Sequence, residues 1–217
     1  MRLNKFIAHA SGLSRRKADD LIGQGKIRVN EHVAHIGAQV DPDDVVTLDG
    51  EIITSPENDI TILLHKPKGY VCSRRGQGSK TIYELLPEEY THLKPVGRLD
   101  KDSSGLLLLT SDGQMHHELT HPSFTKEKLY EVTLDKELTE SDRTKIQEGV
   151  ALEDGVSSLQ LSGKGKQWHV SMHQGRNRQI RRTFASLGYS VKKLHRTQFG
   201  PHKLGTITSG KFEKINI

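Results

Sequence analysis

Leu3, Phe6, Ile7 and Ala10 recur at helical spacing and predict a short helix over 3–10, which Gly12 breaks. Ser14 is suited to cap a second helix, in which Ala18, Leu21 and Ile22 repeat before Gly23 or Gly25 ends it. The period then shortens. Short β pieces are predicted at 27–29, 34–36 and 45–48, with turns at Asn30-Glu31-His32 and Asp41-Pro42-Asp43. Residues 1–50 therefore read as a small helical-hairpin/β unit. Residues 51–59, with Thr54-Ser55-Pro56-Glu57-Asn58-Asp59, read as a linker.

A second pattern occupies 60–217. A strand over 60–65 stops at Lys66-Pro67-Lys68-Gly69 and continues at 70–73, followed by a polar loop over 74–80 and a short helix over 81–86 that ends at Pro87. Strands are predicted at 106–110 and 130–134, a helix at 140–149, and further strands around Leu159, Leu161 and 169–172. The last helix spans 177–187: Asn177 caps it, Ile180, Phe184 and Leu187 form its apolar stripe, and Gly188 closes it. Many strands with a few helices predict an α+β domain on a mainly antiparallel mixed sheet with flanking helices.

No apolar run approaches the roughly 20 residues that cross a bilayer, and no long apolar stretch follows the charged start, which argues against a secretory signal. One cysteine, Cys72, excludes an intrachain disulfide and fits a reducing cytoplasm. The net charge of +5 is unevenly spread. Residues 161–217 carry 12 Lys or Arg and one acid, residues 1–28 carry seven against two, and the middle is net acidic. Basic ends around an acidic middle point to a polyanion, and solvated surface charge is the plainer alternative. Arg15, Arg16 and Lys17 sit in the first turn of the second helix, where the dipole disfavours cations, which hints that they serve a partner.

His116, His117 and His121 lack metal-ligand spacing, and Gly76-Gln77-Gly78-Ser79-Lys80 lacks that of a phosphate loop. The segment Gly97-Arg98-Leu99-Asp100-Lys101-Asp102-Ser103-Ser104-Gly105 stands apart, because it is a charged turn running straight into Leu106-Leu107-Leu108-Leu109. A polar loop fixed to a buried strand can hold a catalytic group still, although Asp100 and Asp102 also read as ordinary turn carboxylates. In His173-Gln174-Gly175-Arg176-Asn177-Arg178-Gln179-Ile180-Arg181-Arg182, four arginines crowd a helix start. Phosphates, or a carboxylate such as Asp100, would neutralise them; a basic solvent face is the other reading.

In this order these segments resemble the RsuA family of bacterial pseudouridine synthases, over nearly the whole chain. Leu3-Asn4-Lys5-Phe6-Ile7 and Ser14-Arg15-Arg16-Lys17-Ala18 resemble the small alpha-L RNA-binding module. His65-Lys66-Pro67-Lys68-Gly69-Tyr70, the stretch from Gly97 to Thr110, Lys128-Leu129-Tyr130, and Gly175 to Arg182 with Val191-Lys192-Lys193-Leu194-His195-Arg196 resemble the catalytic-domain motifs. Ser103 stands where Thr is common, and His65 where Asn is common.

The resemblance implies isomerisation of a uridine in ribosomal RNA by a cytoplasmic monomer that needs neither metal nor organic cofactor. It makes Asp100 the nucleophile, Tyr130 the platform for the flipped-out base, and Arg181 the partner of Asp100; Arg98 helps hold the nucleotide. Arg15, Arg16, Lys17, Lys66, Arg176, Arg178, Arg182, Lys192 and Lys193 are the expected RNA contacts. Lys101-Asp102-Ser103 and Asn177-Arg178-Gln179 lean towards enzymes of the large ribosomal subunit, and Tyr70-Val71-Cys72-Ser73 towards the small-subunit ones. A non-catalytic RNA-binding or ribosome-assembly protein built from the same parts is the alternative, and a DNA-binding regulator using the helical hairpin is a third.

Overall fold

The computed structural model describes residues 1–56, 58–121, 126–173 and 175–215; Glu57 of the expected linker and Gln174 of the arginine-rich segment lie outside the described residues. Helices α1 (Leu3–Ser11) and α2 (Arg15–Gly23) form as their apolar spacing predicts, and the Ser14 hydroxyl accepts from the Lys17 amide. Strands β1 (Ile27–Val29), β2 (His32–Val33), β3 (Val46–Leu48) and β4 (Glu51–Ile52) form a small antiparallel sheet in the order β2-β1-β3-β4. Leu3, Ile7, Ala18, Ile22, Ile27, Val40 and Val46 make a separate core between hairpin and sheet. Two expectations fail here. Asn30 and Glu31 both adopt positive φ, so a two-residue turn pairs His32 and Val33 with β1 and leaves 34–36 outside any strand. Asp49 and Gly50 make a second such turn, which carries the sheet to Ile52, into the expected linker.

The larger sheet is built from β5 (Thr61–Lys66), β6 (Lys94–Val96), β7 (Ser104–Thr110), β8 (Lys128–Leu134), β11 (Gln160–Lys164), β12 (Gln167–Met172), β13 (Val191–Phe199), β14 (His202–Lys203) and β15 (Phe212–Ile215). Between them come α3 (Gly113–Thr120), α4 (Glu140–Glu148), the hairpin β9 (Val150–Leu152)–β10 (Gly155–Ser157), and α5 (Gln179–Ser186). The order is β11-β12-β8-β13-β7-β5-β15, with β6 on β7 and β14 on β13. Among the strand pairs of this sheet in the described residues, only the seam between β13 and β7 is parallel, joining His195 to Ser104 and Arg196 to Gly105. Leu107, Leu109, Tyr130, Val132, Val170 and Leu194 pack on one face with Ile180 and Phe184 of α5, while Leu106, Leu108 and Phe199 pack on the other with Met115 and Leu119 of α3. The four leucines of β7 are wholly buried, which makes it the rigid spine of the domain.

Residues 70–73 do not extend β5. Gly69 turns the chain at φ 93°, and Val71 keeps only an isolated bridge to Thr81. The 81–86 helix is a 3₁₀ turn over Ile82–Leu85, held by a Thr81/Glu84 capping box. Asn177 does not cap the last helix: Arg178, in the left-handed region at φ 48°, takes the N-cap position, and α5 begins at Gln179. Among the described residues no helix is long and apolar enough to cross a membrane.

Candidate active site

Asp100 sits on the loop that enters β7, and that loop is pinned from below. Lys66, fully buried at the end of β5, donates from Nζ to the carbonyls of Pro67 (3.1 Å), Asp100 (3.0 Å) and Ser103 (2.7 Å). Burial pushes the Lys66 ammonium below its ordinary value, against the pull of Cys72, Asp100 and Asp102. Further clamps come from the Gly69 amide to the Lys101 carbonyl (2.7 Å) and from the Cys72 sulfur, which accepts the Leu99 amide at 3.4 Å. Lys66, expected to touch RNA, is instead a strut of this loop, because its buried ammonium is taken up by three carbonyls and does not line the cavity.

The arginine-rich segment closes over the loop from the other side. Arg178 makes a forked contact with Asp102, at 3.1 and 3.3 Å, and approaches Asp100 Oδ2 at 3.5 Å. Arg181 reaches the Asp102 carbonyl at 3.1 Å, the Ser103 hydroxyl at 3.4 Å and the Val191 carbonyl at 2.8 Å. The expected Arg181–Asp100 pair is therefore replaced: Arg178 is the cation beside Asp100, and Arg181 braces Asp102. Partial burial raises the Asp102 carboxyl, but Arg178 and Arg181 together outweigh it and hold the group below its ordinary value.

Asp100, Arg98, Tyr130, Arg176 and Arg178 line one cavity of about 440 Å³, together with Lys128, Leu194, Arg196 and Phe199. Such a volume lies within the range of ligand clefts, about 300–1,000 Å³. Asp100 is half-buried, Tyr130 is buried at the wall, and Arg98 is exposed at the rim. Arg98, Asp100, Arg176 and Arg178 also line an adjoining pocket with Val71, Cys72 and Asn177, so the cleft continues on the other side of the Asp100 loop.

The remaining expected contacts separate. Arg182 forks onto the Asp154 carboxylate (3.0 and 2.7 Å), and Arg176 binds Asp154 and the Gly155 and Val156 carbonyls. These two arginines strap the β9–β10 hairpin to the start of α5. Lys192 is exposed and lies outside the cavity lining. Lys193 points to the sheet face opposite Leu194 and pairs with Glu131 at 3.0 Å. Arg15, Arg16 and Lys17 are exposed on α2. The sequence places Lys128 and Arg196 only as members of motifs and gives neither a role of its own. Both are cations flanking apolar strand positions, and only strand alternation could have turned them inward. Among the described residues no group of three His, Cys, Asp or Glu side chains could hold a metal ion.

Residues 60–186 match the family described as RNA pseudouridylate synthase, and residues 1–46 match the S4 domain. The ribosomal large subunit pseudouridine synthase B of Bacillus subtilis is 36% identical over 99% of the chain and 91% of its own length. The dual-specificity RNA pseudouridine synthase RluF of Escherichia coli is 36% identical over 99% of the chain and 75% of its own length. A crystal structure of a pseudouridylate synthase superposes with a TM-score of 0.71 at 32% identity, covering 100% of this chain and 96% of the other.

Proposed function

Because the chain belongs to the RNA pseudouridylate synthase family, we propose that it isomerises one uridine of large-subunit ribosomal RNA, with Asp100 as the nucleophile. The observation that carries this reading is the joining of Asp100 and Tyr130 in one cavity beneath an arginine rim. A uracil inside a helix is out of reach, so the target nucleotide leaves its stack and lies against the Tyr130 ring. Arg98 and Arg178 face its phosphates at the rim. Arg181 positions the loop by gripping the Asp102 carbonyl, so its part is indirect. No net redox change occurs and nothing is added to the RNA, so a carboxylate nucleophile suffices. The large-subunit assignment rests on the relative from Bacillus subtilis.

Residues 1–50 supply a second RNA contact through Arg15, Arg16 and Lys17, and residues 60–217 the catalytic domain, working as a cytoplasmic monomer. A pure RNA-binding protein would gain nothing from a carboxylate set among arginines that face RNA. Mapping pseudouridines in ribosomal RNA from cells with and without the gene tests the substrate: one large-subunit site should vanish. Asp100→Asn should keep RNA affinity yet abolish isomerisation in a tritium-release assay. Wild-type turnover by that variant would sink the role of Asp100.

A further inference from the structure

Arg196 lies in the middle of the sheet and is 2% exposed. A guanidinium in such a place is ordinarily matched by a carboxylate, since an unpaired buried charge is costly. Arg196 has no such match: among the described residues it makes no ion pair, and its one hydrogen bond runs from Nε to the Leu106 carbonyl at 2.8 Å. Its Nη2 is buried without a partner. Lys128 repeats the pattern beside it. Its Nζ donates only to the carbonyls of Lys126 and His173, and burial, with Arg196 adding to it, pushes the ammonium down to about 8. Both cations lie over the same Phe199 ring, at 5.0 and 5.1 Å from its centre. The two positive groups share one apolar floor, and among the described residues neither is in an ion pair.

The position says what they face. Arg196 is the cross-strand partner of Tyr130, so the two side chains are neighbours on the sheet face that Leu194 also presents to the cavity. The backbone is fixed at that point, because a Cβ on Gly105 would collide with the Arg196 carbonyl oxygen, and only glycine lets β7 and β13 come so close. A strap between the two strands would need the single Nε hydrogen bond and no charge. Phosphates stay at the mouth, where Arg98 and Arg178 are exposed. A base lying on Tyr130 is the part of the nucleotide that reaches the floor.

We infer that Arg196, assisted by Lys128, is a further catalytic residue, whose guanidinium meets the uracil oxygens and stabilises the negative charge that gathers on them during isomerisation. The inference rests on the reading above, that a uracil stacks on Tyr130. The N1–C1′ bond must break with its electron pair leaving on the base, where it spreads over O2 and O4. Asp100, which takes up C1′ as an ester when that bond breaks, is expelled as a carboxylate when the pair returns from C5 to make the C5–C1′ bond; C5 gives up its proton and N1 gains one, so the sum is an isomerisation. If Asp100 first adds to C6, the electron pair again goes to a uracil oxygen. Either route presents an oxyanion to a fixed, dry cation, the arrangement in which electrostatic stabilisation is strongest.

The test is single-turnover kinetics of Arg196→Ala at saturating RNA, with RNA affinity measured by filter binding and folding by thermal melting. The rate should fall by about 100-fold or more, on the scale of losing one oxyanion donor, while Kd changes less than about threefold. Added guanidinium ion should restore part of the rate. If the alanine variant does not fold, Arg196→Met keeps the length of the side chain, and Lys128→Met should show a smaller loss of the same kind. A rate within about threefold of wild type overturns the inference. So does a rise in Kd that matches the fall in rate, which would make Arg196 a phosphate contact. A loss that guanidinium does not rescue and that comes with a lowered melting temperature also overturns it, by leaving only a strap. Asp100→Asn run alongside keeps the two ideas apart: turnover by that variant defeats the underlying reading, whereas an inactive Asp100→Asn beside an unimpaired Arg196→Ala defeats this inference alone.

Discussion

Lys66 and Tyr130 show how burial assigns work to a side chain. A lysine beside a proline and a glycine looks like a solvent-facing contact for RNA, but its aliphatic stem continues the buried side of β5 and its ammonium finds three carbonyls there. The charge is used inside, to hold the peptide of Asp100. Tyr130 is simpler, because its hydroxyl makes no hydrogen bond among the described residues and its ring forms the cavity wall. Tyr130→Phe is therefore expected to retain most of the turnover. Tyr130→Ala should weaken capture of the base by roughly 1–3 kcal/mol, the usual contribution of an aromatic platform. Steady-state kinetics on a short RNA substrate decides this, and an inactive phenylalanine variant would give the hydroxyl a chemical part.

At the scale of elements, α4 offers a clean titration. Thr139 caps the helix, and Asp142 accepts hydrogen bonds from Lys145, the Tyr189 hydroxyl and the Thr139 hydroxyl. Lys145 above all, then Tyr189 and Thr139, hold the Asp142 carboxyl down to about 2. A depressed carboxylate stabilises the fold above its ordinary value of 3.8 and loses that contribution as the pH falls towards about 2. Melting temperatures of wild type and Asp142→Asn should therefore differ at pH 5 and converge as the pH approaches 2. A constant difference across that range would contradict the assignment.

The elements also show what sequence can tell. The helical stripes of α1 and α2, the leucines of β7 and the alternation of β8 are legible because each has one apolar face and one period. β13 was not, although it is the central strand. Its residues are mostly basic or polar, and irregularities between Val191 and Lys193 and between Arg196 and Gln198 break the alternation by two. The arginine cluster was legible as a cluster, but its division of labour was not. Which arginine meets Asp100, Asp102 or Asp154 depends on the left-handed turn at Arg178 and on a hairpin that carried no signal of its own.

In the whole molecule, two basic surfaces are set on separate cores. The exposed Arg15, Arg16 and Lys17 belong to α2, and Arg98 and Arg178 rim the cavity. The two parts touch through Lys94 Nζ on the Leu13 carbonyl (3.3 Å), and His9 reaches back to Asp59 at the end of the linker (3.0 Å). Replacing Arg15, Arg16 and Lys17 together by alanine should weaken RNA binding and flatten its salt dependence, by about 0.7–0.9 in the log–log slope for each phosphate that the variant no longer neutralises. The rate at saturating RNA should stay the same. An unchanged slope would remove α2 from the RNA footprint.

The parallel seam also has a consequence for the cavity. β5, β6 and β7 pair with one another, and β8, β11 and β12 likewise, but these two half-sheets meet only through β13. Residues 191–199 fill the slot between the half-sheet that carries Asp100 and the one that carries Tyr130, and they cover a strand edge on each. The strand that brings Arg196 is also the one that closes the sheet, so the cavity between Asp100 and Tyr130 depends on both edges of β13 being paired.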